Sequence, residues 1–371
     1  MNPHLLAAVC VAALAFVPAF APADNPAEHL RDQTEQLWDP VAEAEAIRVL
    51  DELRISYLQN RDLPGNPIVA VRLRADKLND RVLTALEKLR LLREVHATPE
   101  INQSFTTHQL TQLGRLRQLH TLDLSSATLE AADLKAIAKM GRLRCLRFSF
   151  CTIHDKTALQ ELAGMPRLKE LSFSGSKSIT DEVASELHRL TSLECLEFSK
   201  CGITDATVAR IATLPNLRRL RLQELPITSA SMKELGRLHS LTELSLWITN
   251  VGDENLDSLA SLPNLQELCL CVAPITDKGA ASLAKSKSIS RLHLAHTHVG
   301  DEGITSLASL KTLQVLDLVN TGATDGAVPE LAKLSNLREL NVGHTKVTDQ
   351  GLGKLKAVLP DCDIVAKPYG Y

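Results

Sequence analysis

From Ile68 onward, apolar residues occupy the first, fourth and sixth places of a six-residue block that returns about every 24 residues. Clear copies are LECLEF from Leu193, LRRLRL from Leu217, LTELSL from Leu241, LQELCL from Leu265, LQVLDL from Leu313 and LRELNV from Leu337. Blocks begin at 68, 92, 119, 143, 168, 193, 217, 241, 265, 289, 313 and 337. Their spacing is 24 or 25 residues except for 27 between 92 and 119, which places one insertion around Pro99 to Thr107. Asp361 to Ala366 follows the Leu337 block by 24 residues and reads as a degenerate last strand. Within a block the alternation predicts a short strand whose places four and six face a core, while three, five and seven face outward.

A second motif fills the intervals, seen in Ile179-Thr180-Asp181, Ile203-Thr204-Asp205, Ile275-Thr276-Asp277 and Val347-Thr348-Asp349. Thr and Asp accept hydrogen bonds from the free N–H groups at a helix start, and Asp suits the positive end of the helix dipole. Val208, Ile211, Ala212 and Leu214 then recur at three- and four-residue steps, as on one face of a helix. The helix is predicted to stop at Leu214-Pro215-Asn216, and its equivalent at Leu262-Pro263-Asn264. Each unit is therefore strand, turn, helix and return loop, too small to fold alone. A fixed period of this length predicts an α/β solenoid in which stacking supplies the core. At the ninth place of the unit, Thr249, Thr297, Thr321 and Thr345 are predicted to satisfy buried backbone groups, whereas Cys151, Cys201 and Ala273 fill space.

Exposed solenoid ends need caps. Ala46, Ile47, Leu50 and Leu53 have helical spacing and Pro40 suits a first turn, so 40–67 is read as an N-terminal helical cap. Twelve units occupy 68–359, and a C-terminal cap strand and tail occupy 360–371. Residues 24–39 are polar and read as a mobile linker. Residues 5–20 form an uncharged apolar run followed by Ala21-Pro22-Ala23, which reads as a signal peptide over 1–23 with a mature start near Asp24. The run is short and Ala-rich for a membrane span, although an uncleaved anchor is the rival reading. The expectation is an exported protein of the periplasm, cell envelope or secreted fraction, with a mature chain that does not span a membrane.

Composition narrows the function. Hydrophobic residues make up 44% but aromatic residues only 3%, as an aliphatic stack requires. The net charge of -3 argues against a nucleic-acid partner, for which a basic face is expected. Seven cysteines follow the leader, an odd number. Cys151 and Cys201 hold the same slot two units apart, roughly 10 Å, beyond disulfide reach. They read as small apolar fillers.

The blocks, the I/V-T-D triplets and the L-A-x-L-P-N returns resemble the leucine-rich repeat superfamily, over about 300 residues of the chain. The likeness is to ribonuclease-inhibitor-like and cysteine-containing repeats and to exported bacterial proteins built of them. It implies a curved, right-handed horseshoe with a parallel concave sheet, convex helices and binding on the concave face or its rims. Such repeats also serve ubiquitin-ligase adaptors, the alternative if the leader reading is wrong, but no adaptor-docking domain precedes the repeats. The family shares no catalytic residues, so none transfers.

Outward places three, five and seven write the concave strip directly, and its middle alternates in charge. Glu197 is predicted beside Arg221, Arg219 beside Glu243, and Glu267 beside Arg291, each about 4.8 Å away across strands. Such pairs also read blandly as a self-satisfied ladder worth roughly 0–1 kcal/mol each. Place seven runs from Ser in early units to Gln223, Trp247, Cys271, Ala295 and Val319. An outward Trp there reads as a binding anchor, or else as local packing. The candidate partner-binding residues are Arg219, Arg221, Glu243, Trp247, Glu267, Arg291 and His293. Cys269, Cys271 and His293 offer the start of a soft-metal site without an evident fourth ligand, so no metal or other cofactor is expected. No G-x-S-x-G, phosphate-cradling glycine loop or H-E-x-x-H occurs, and no enzyme is expected. The expected function is non-catalytic recognition of a protein partner, with glycan or cell-surface polymer binding as the alternative.

Overall fold

A computed structural model describes residues 37–99, 104–153 and 155–366. The expected leader at 1–23, residues 24–36 of the expected linker, residues 100–103 and residues 367–371 lie outside the described residues. One sheet of 14 strands runs the length of the chain in sequence order. Only its first strand, Ser56–Gln59, is antiparallel, pairing with Ile68–Arg74. Every later strand is parallel to its neighbour, from Glu94–Thr98 through Arg219–Gln223 to Asp363–Val365. The molecule is the predicted α/β solenoid. Block leucines fall in strict lateral register: Leu196, Leu220, Leu244, Leu268, Leu292, Leu316 and Leu340 form one row, fully buried. A one-residue slip would turn that row to solvent, so the alternation itself fixes the register.

Three successive units place phenylalanine where most of the others have leucine. Phe148, Phe173 and Phe198 are fully buried, and their rings stack at 5.4 and 5.3 Å. The two units lengthened to 25 residues carry 3-10 helices, Ala158–Gly164 and Val183–Arg189, instead of α-helices on the convex side.

Ahead of the first repeat strand the chain forms one helix and one short strand. Pro40–Glu52 is helical, and the Asp39 carboxylate accepts from the N–H groups of Val41 and Ala42. Glu43, buried within it, accepts from the Ile68 N–H at 2.6 Å and from Trp38 Nε1 at 2.7 Å. That carboxylate ties the cap helix to the first repeat strand. The antiparallel strand at 56–59 then covers the sheet edge that the first unit would leave open. No apolar block announces it.

The Asp of the I-T-D motif does more than begin its own helix. Thr204 and Thr276 cap theirs, accepting from Ala206 N and Lys278 N. Ahead of the last unit, the Asp reaches forward into the following unit. Asp181 accepts from Thr204 N and Oγ1 at 2.9 and 2.6 Å and from Thr207 N and Oγ1 at 3.1 and 2.5 Å. The same contact joins Asp205 to Thr228, Asp253 to Thr276, Asp301 to Thr324 and Asp325 to Thr348. Turn asparagines add a reverse tie: Asn216, Asn264 and Asn336 donate to the carbonyls of Thr191, His239 and Lys311 one unit back. The ninth-place threonines donate to backbone carbonyls as predicted, Thr297 to Leu294 O at 2.6 Å and Thr321 to Leu318 O at 2.8 Å. Cys151 does likewise through its thiol, to Leu124 O at 3.2 Å, so it is more than filler.

In four of the later helical segments a glycine, Gly279, Gly303, Gly326 or Gly351, faces that forward-reaching carboxylate. A Cβ on Gly303 would lie 2.6 Å from Asp277 Oδ1 and 2.9 Å from Val299 Cγ1. Gly303→Ala is therefore expected to destabilise by about 1–3 kcal/mol, the cost of overpacking, although alanine is the better helix former. Urea denaturation checks this; an unchanged or raised midpoint would refute the close approach.

Asp181 also makes stability depend on pH. Burial pushes its pKa up, but the hydrogen bonds from Thr204 and Thr207 outweigh that and hold it below the usual carboxylate range. The native state thus binds this proton less readily than the unfolded chain, so the stabilisation is present above the unfolded value near pH 4 and is lost as pH falls through the native one. Asp181→Asn is expected to unfold more easily at neutral pH and to show a flatter stability curve between about pH 5 and pH 3. Equal slopes for variant and parent would contradict it.

Candidate concave recognition surface

The concave face carries charge in its N-terminal and middle strands. His96 lies 3.0 Å from Glu94 through Nε2 and 3.1 Å from Asp123 through Nδ1. Arg147 reaches both Glu94 at 3.3 Å and Glu170 at 3.9 Å, and Glu170 also meets Arg219 at 3.4 Å. Sequence reasoning singled out Arg219 but not Glu94, His96, Arg147 or Glu170. All four hold outward places three or five of their blocks; Arg147 and Glu170 were already legible on the outward strip, and only the stacking shows which carboxylate each cation reaches.

Further on, the predicted lateral neighbours are found: Arg221 sits opposite Glu197, Arg219 opposite Glu243 and Glu267 opposite Arg291. The ion pairs only partly follow. Arg221 gives both Nε and Nη2 to Glu243 Oε1 at 2.9 and 2.7 Å, reaching diagonally instead of to Glu197. Arg219 reaches back two strands to Glu170, while Arg291 Nε keeps Glu267 at 3.0 Å. These side chains are one-seventh to one-third exposed, so the ladder is a half-buried surface and not a flexible fringe.

Two candidates sit differently from the prediction. Trp247 is only 7% exposed and packs with Cys271 and Ala295, flanked by Ile248, Cys269, Val272 and Val319. The indole is local packing, and its Nε1 has no hydrogen-bond partner among the described residues. The cause is the turn that follows each strand. Residues at the eighth place take positive φ in successive units, including Ile248 at 51° and Val272 at 60°, which folds the preceding side chain over the strand ends. His293 is also 7% exposed, and burial followed by the nearby Arg291 lowers its pKa to about 4. At neutral pH it is an uncharged imidazole, so its 3.7 Å approach to Glu267 is not an ion pair.

His293 belongs to a lateral row of polar residues in the C-terminal half of the sheet, in which Ser245, His293 and Asn341 are buried and Cys269 and Asp317 half-buried. Burial raises the Asp317 pKa to about 6, against a hydrogen bond from the Val319 N–H. The Cys269 and Cys271 thiols share a hydrogen bond that lowers the pKa of the first and raises that of the second. Among the described residues no three His, Cys, Asp or Glu side chains converge as a metal site. Among the described residues Cys145, Cys151, Cys195, Cys201, Cys269, Cys271 and Cys362 are all free. Burial pushes the thiols of Cys151, Cys195 and Cys201 up to about 11, which keeps them protonated and unreactive at neutral pH. No helix among the described residues is long and apolar enough to cross a membrane.

Comparison with known proteins agrees with this architecture. The profile described as a leucine-rich repeat region matches residues 133–288, and a second leucine-rich repeat profile matches 285–308 and 333–356. A protein of Trypanosoma equiperdum, whose name provisionally assigns it to adenylate cyclase regulation, is 31% identical over 138 residues. Those residues are 37% of this chain and 21% of that protein, so the chain spans about a fifth of its relative. Among solved structures, an internalin from Listeria monocytogenes superposes with a TM-score of 0.55 at 18% identity, covering 90% of this chain and 97% of its own. The TLR13–ssRNA13 complex gives 0.56 at 20% identity, covering 82% of this chain and 44% of that one. At these identities both show the shared fold alone.

Proposed function

Starting from the fact that the chain is a leucine-rich repeat protein, we propose that it is a non-catalytic recognition module which docks a protein partner on the concave sheet. The observation that carries this reading is the ladder of guanidiniums and carboxylates over the strands from Glu94 to Arg291, held in place by register and ion pairs. Fixed side chains lose little freedom on binding, so complementary charges on a partner gain orientation at low entropic cost. The contact set is Arg219, Arg221, Glu243, Glu267 and Arg291, joined by Arg147 and Glu170; Trp247 and His293 support it from below. Burial of Trp247 removes the aromatic platform on which a neutral sugar would stack, which favours a protein over a glycan on this face.

We further propose export, supported by the apolar 5–20 segment and the Ala21-Pro22-Ala23 site that follows it. Sequencing the mature N-terminus tests this, with Asp24 as the expected first residue. The recognition reading is tested by affinity capture from the native envelope fraction. Arg221→Glu is expected to abolish capture of the partner. The charge-swapped pair Arg221→Glu with Glu243→Arg keeps the local ion pair, and is expected to regain stability but not capture. Capture by both variants at the parent level would move the site off the concave face.

A further inference from the structure

The rim of the solenoid on which the strands begin concentrates positive charge in its N-terminal units. Arg93, His120, Arg144 and Lys169 hold one slot in successive units. They are chained through the backbone: His120 N donates to Arg93 O, Arg144 N to His120 O and Lys169 N to Arg144 O, each at 2.8 Å. Neighbouring slots on the same rim add Arg90, Arg117, Arg142 and Arg167, all exposed. Lys169 is matched by Glu194 at 2.7 Å, and nearby Arg115 by Glu87 and Asp80. The six arginines of the patch have no carboxylate partner among the described residues; Arg93 donates only to the Arg90 and Leu92 carbonyls.

Their convergence is felt at the centre of the patch. Burial first, then Arg93, Arg144, Arg142 and Arg167, lower the His120 pKa to about 4. The repeat supplies its own control, because further along the same slot holds Glu194, Arg218, Thr242, Gln266, Ser290, Gln314 and Arg338, where the two arginines stand apart and form no run. The patch is local to four units of a chain whose net charge is -3.

We propose that this rim binds a linear polyanion bearing sulfate or phosphate groups, an anionic polysaccharide, independently of the concave face. Parallel strands repeat every 4.7–4.9 Å or so, giving an evenly spaced row of donors along which an extended charged polymer can lie. Arginine outnumbers lysine, and the planar guanidinium engages tetrahedral oxyanions in bidentate fashion. Exposed large apolar side chains among the described residues are Val41, Leu58, Phe150 and Val358, and none belongs to these slots. Unlike the concave ladder, where cations alternate with carboxylates, this patch offers a protein partner neither an apolar anchor nor a mixed-charge pattern, and single-stranded nucleic acid would want stacking rings. A hydrophilic polymer held by charge needs none of these.

Fluorescence anisotropy with labelled heparin and with labelled polyphosphate tests the proposal and separates sulfate from phosphate; oligo-dT and polyglutamate are the contrasting arms. Binding of heparin, polyphosphate or both is expected at about 50 mM salt, weakening at least tenfold by about 200 mM because counterion release gains less free energy at higher salt. Arg142→Glu with Arg144→Glu, both on exposed side chains, is expected to weaken it roughly 100-fold with an unchanged far-ultraviolet circular dichroism spectrum. Arg210→Glu on the convex helix Asp205–Ile211 is expected to leave it unchanged. Absence of binding, or affinity indifferent to the double reversal, would overturn the site. Tighter binding of oligo-dT or polyglutamate than of either probe would overturn the polysaccharide assignment in favour of nucleic acid or an acidic protein segment.

Discussion

Phe173→Ala is expected to lower the free energy of unfolding by about 3–5 kcal/mol, the range for truncating a fully buried phenylalanine. The middle ring of the stack loses contact on both sides, with Phe148 at 5.4 Å and Phe198 at 5.3 Å. The surroundings cannot close over the void, because backbone hydrogen bonds hold the strands Cys145–Ser149, Glu170–Ser174 and Cys195–Ser199 in register. In a solenoid each unit touches only its neighbours, so the damage falls on one junction and not on a shared core. Unfolding is therefore expected to lose cooperativity, with hydrogen exchange rising first in residues 145–199. Phe173→Leu, which installs the residue used by most other units, is expected to cost less than about 1.5 kcal/mol. A cost below about 1 kcal/mol for the alanine variant would mean that the stack adds little beyond ordinary packing.

The second large effect lies on the convex side. Asp205→Ala removes the acceptor of Thr228 N at 2.9 Å, Thr228 Oγ1 at 2.6 Å and Ser231 Oγ. Ser231 is only 2% exposed, so its hydroxyl is stranded without water. A charged acceptor lost from buried donors costs about 2–3 kcal/mol. Asp205→Asn keeps one acceptor oxygen and is expected to fall between parent and alanine. A double-mutant cycle with Thr228→Val separates the contact from the first-turn role of Asp205 in its own helix. A coupling energy near zero would show that the loss comes from that helix alone.

Much of this architecture was legible in the sequence because it is dictated by alternation. Apolar places one, four and six fix which side of each strand is buried, and one repeated stride fixes the register, so Leu196 through Leu340 align as read. What the pattern does not carry is direction beyond the strand. Trp247 occupies an outward place, yet the left-handed turn at Ile248 lays it against Cys271 and Ala295. Arg221 has Glu197 opposite it, but its length lets it choose the diagonal Glu243. Asp181 was legible as a helix-start residue and illegible as the ligand of a threonine 23 positions later, since only stacking brings them together. The basic rim escaped because a net charge of -3 averages over surfaces that never meet. Residue type was informative throughout; long side chains and turns decided the remainder.

The forward-reaching aspartates give the solenoid a polarity of assembly. Acceptor and donor stand one stride apart, at Asp253 and Thr276 as at Asp301 and Thr324. Excising or duplicating whole units thus brings an equivalent pair together again, whereas a cut that is not a whole number of units orphans both partners. Arrays of this kind can lengthen or shorten during evolution in whole modules without new interfaces being invented.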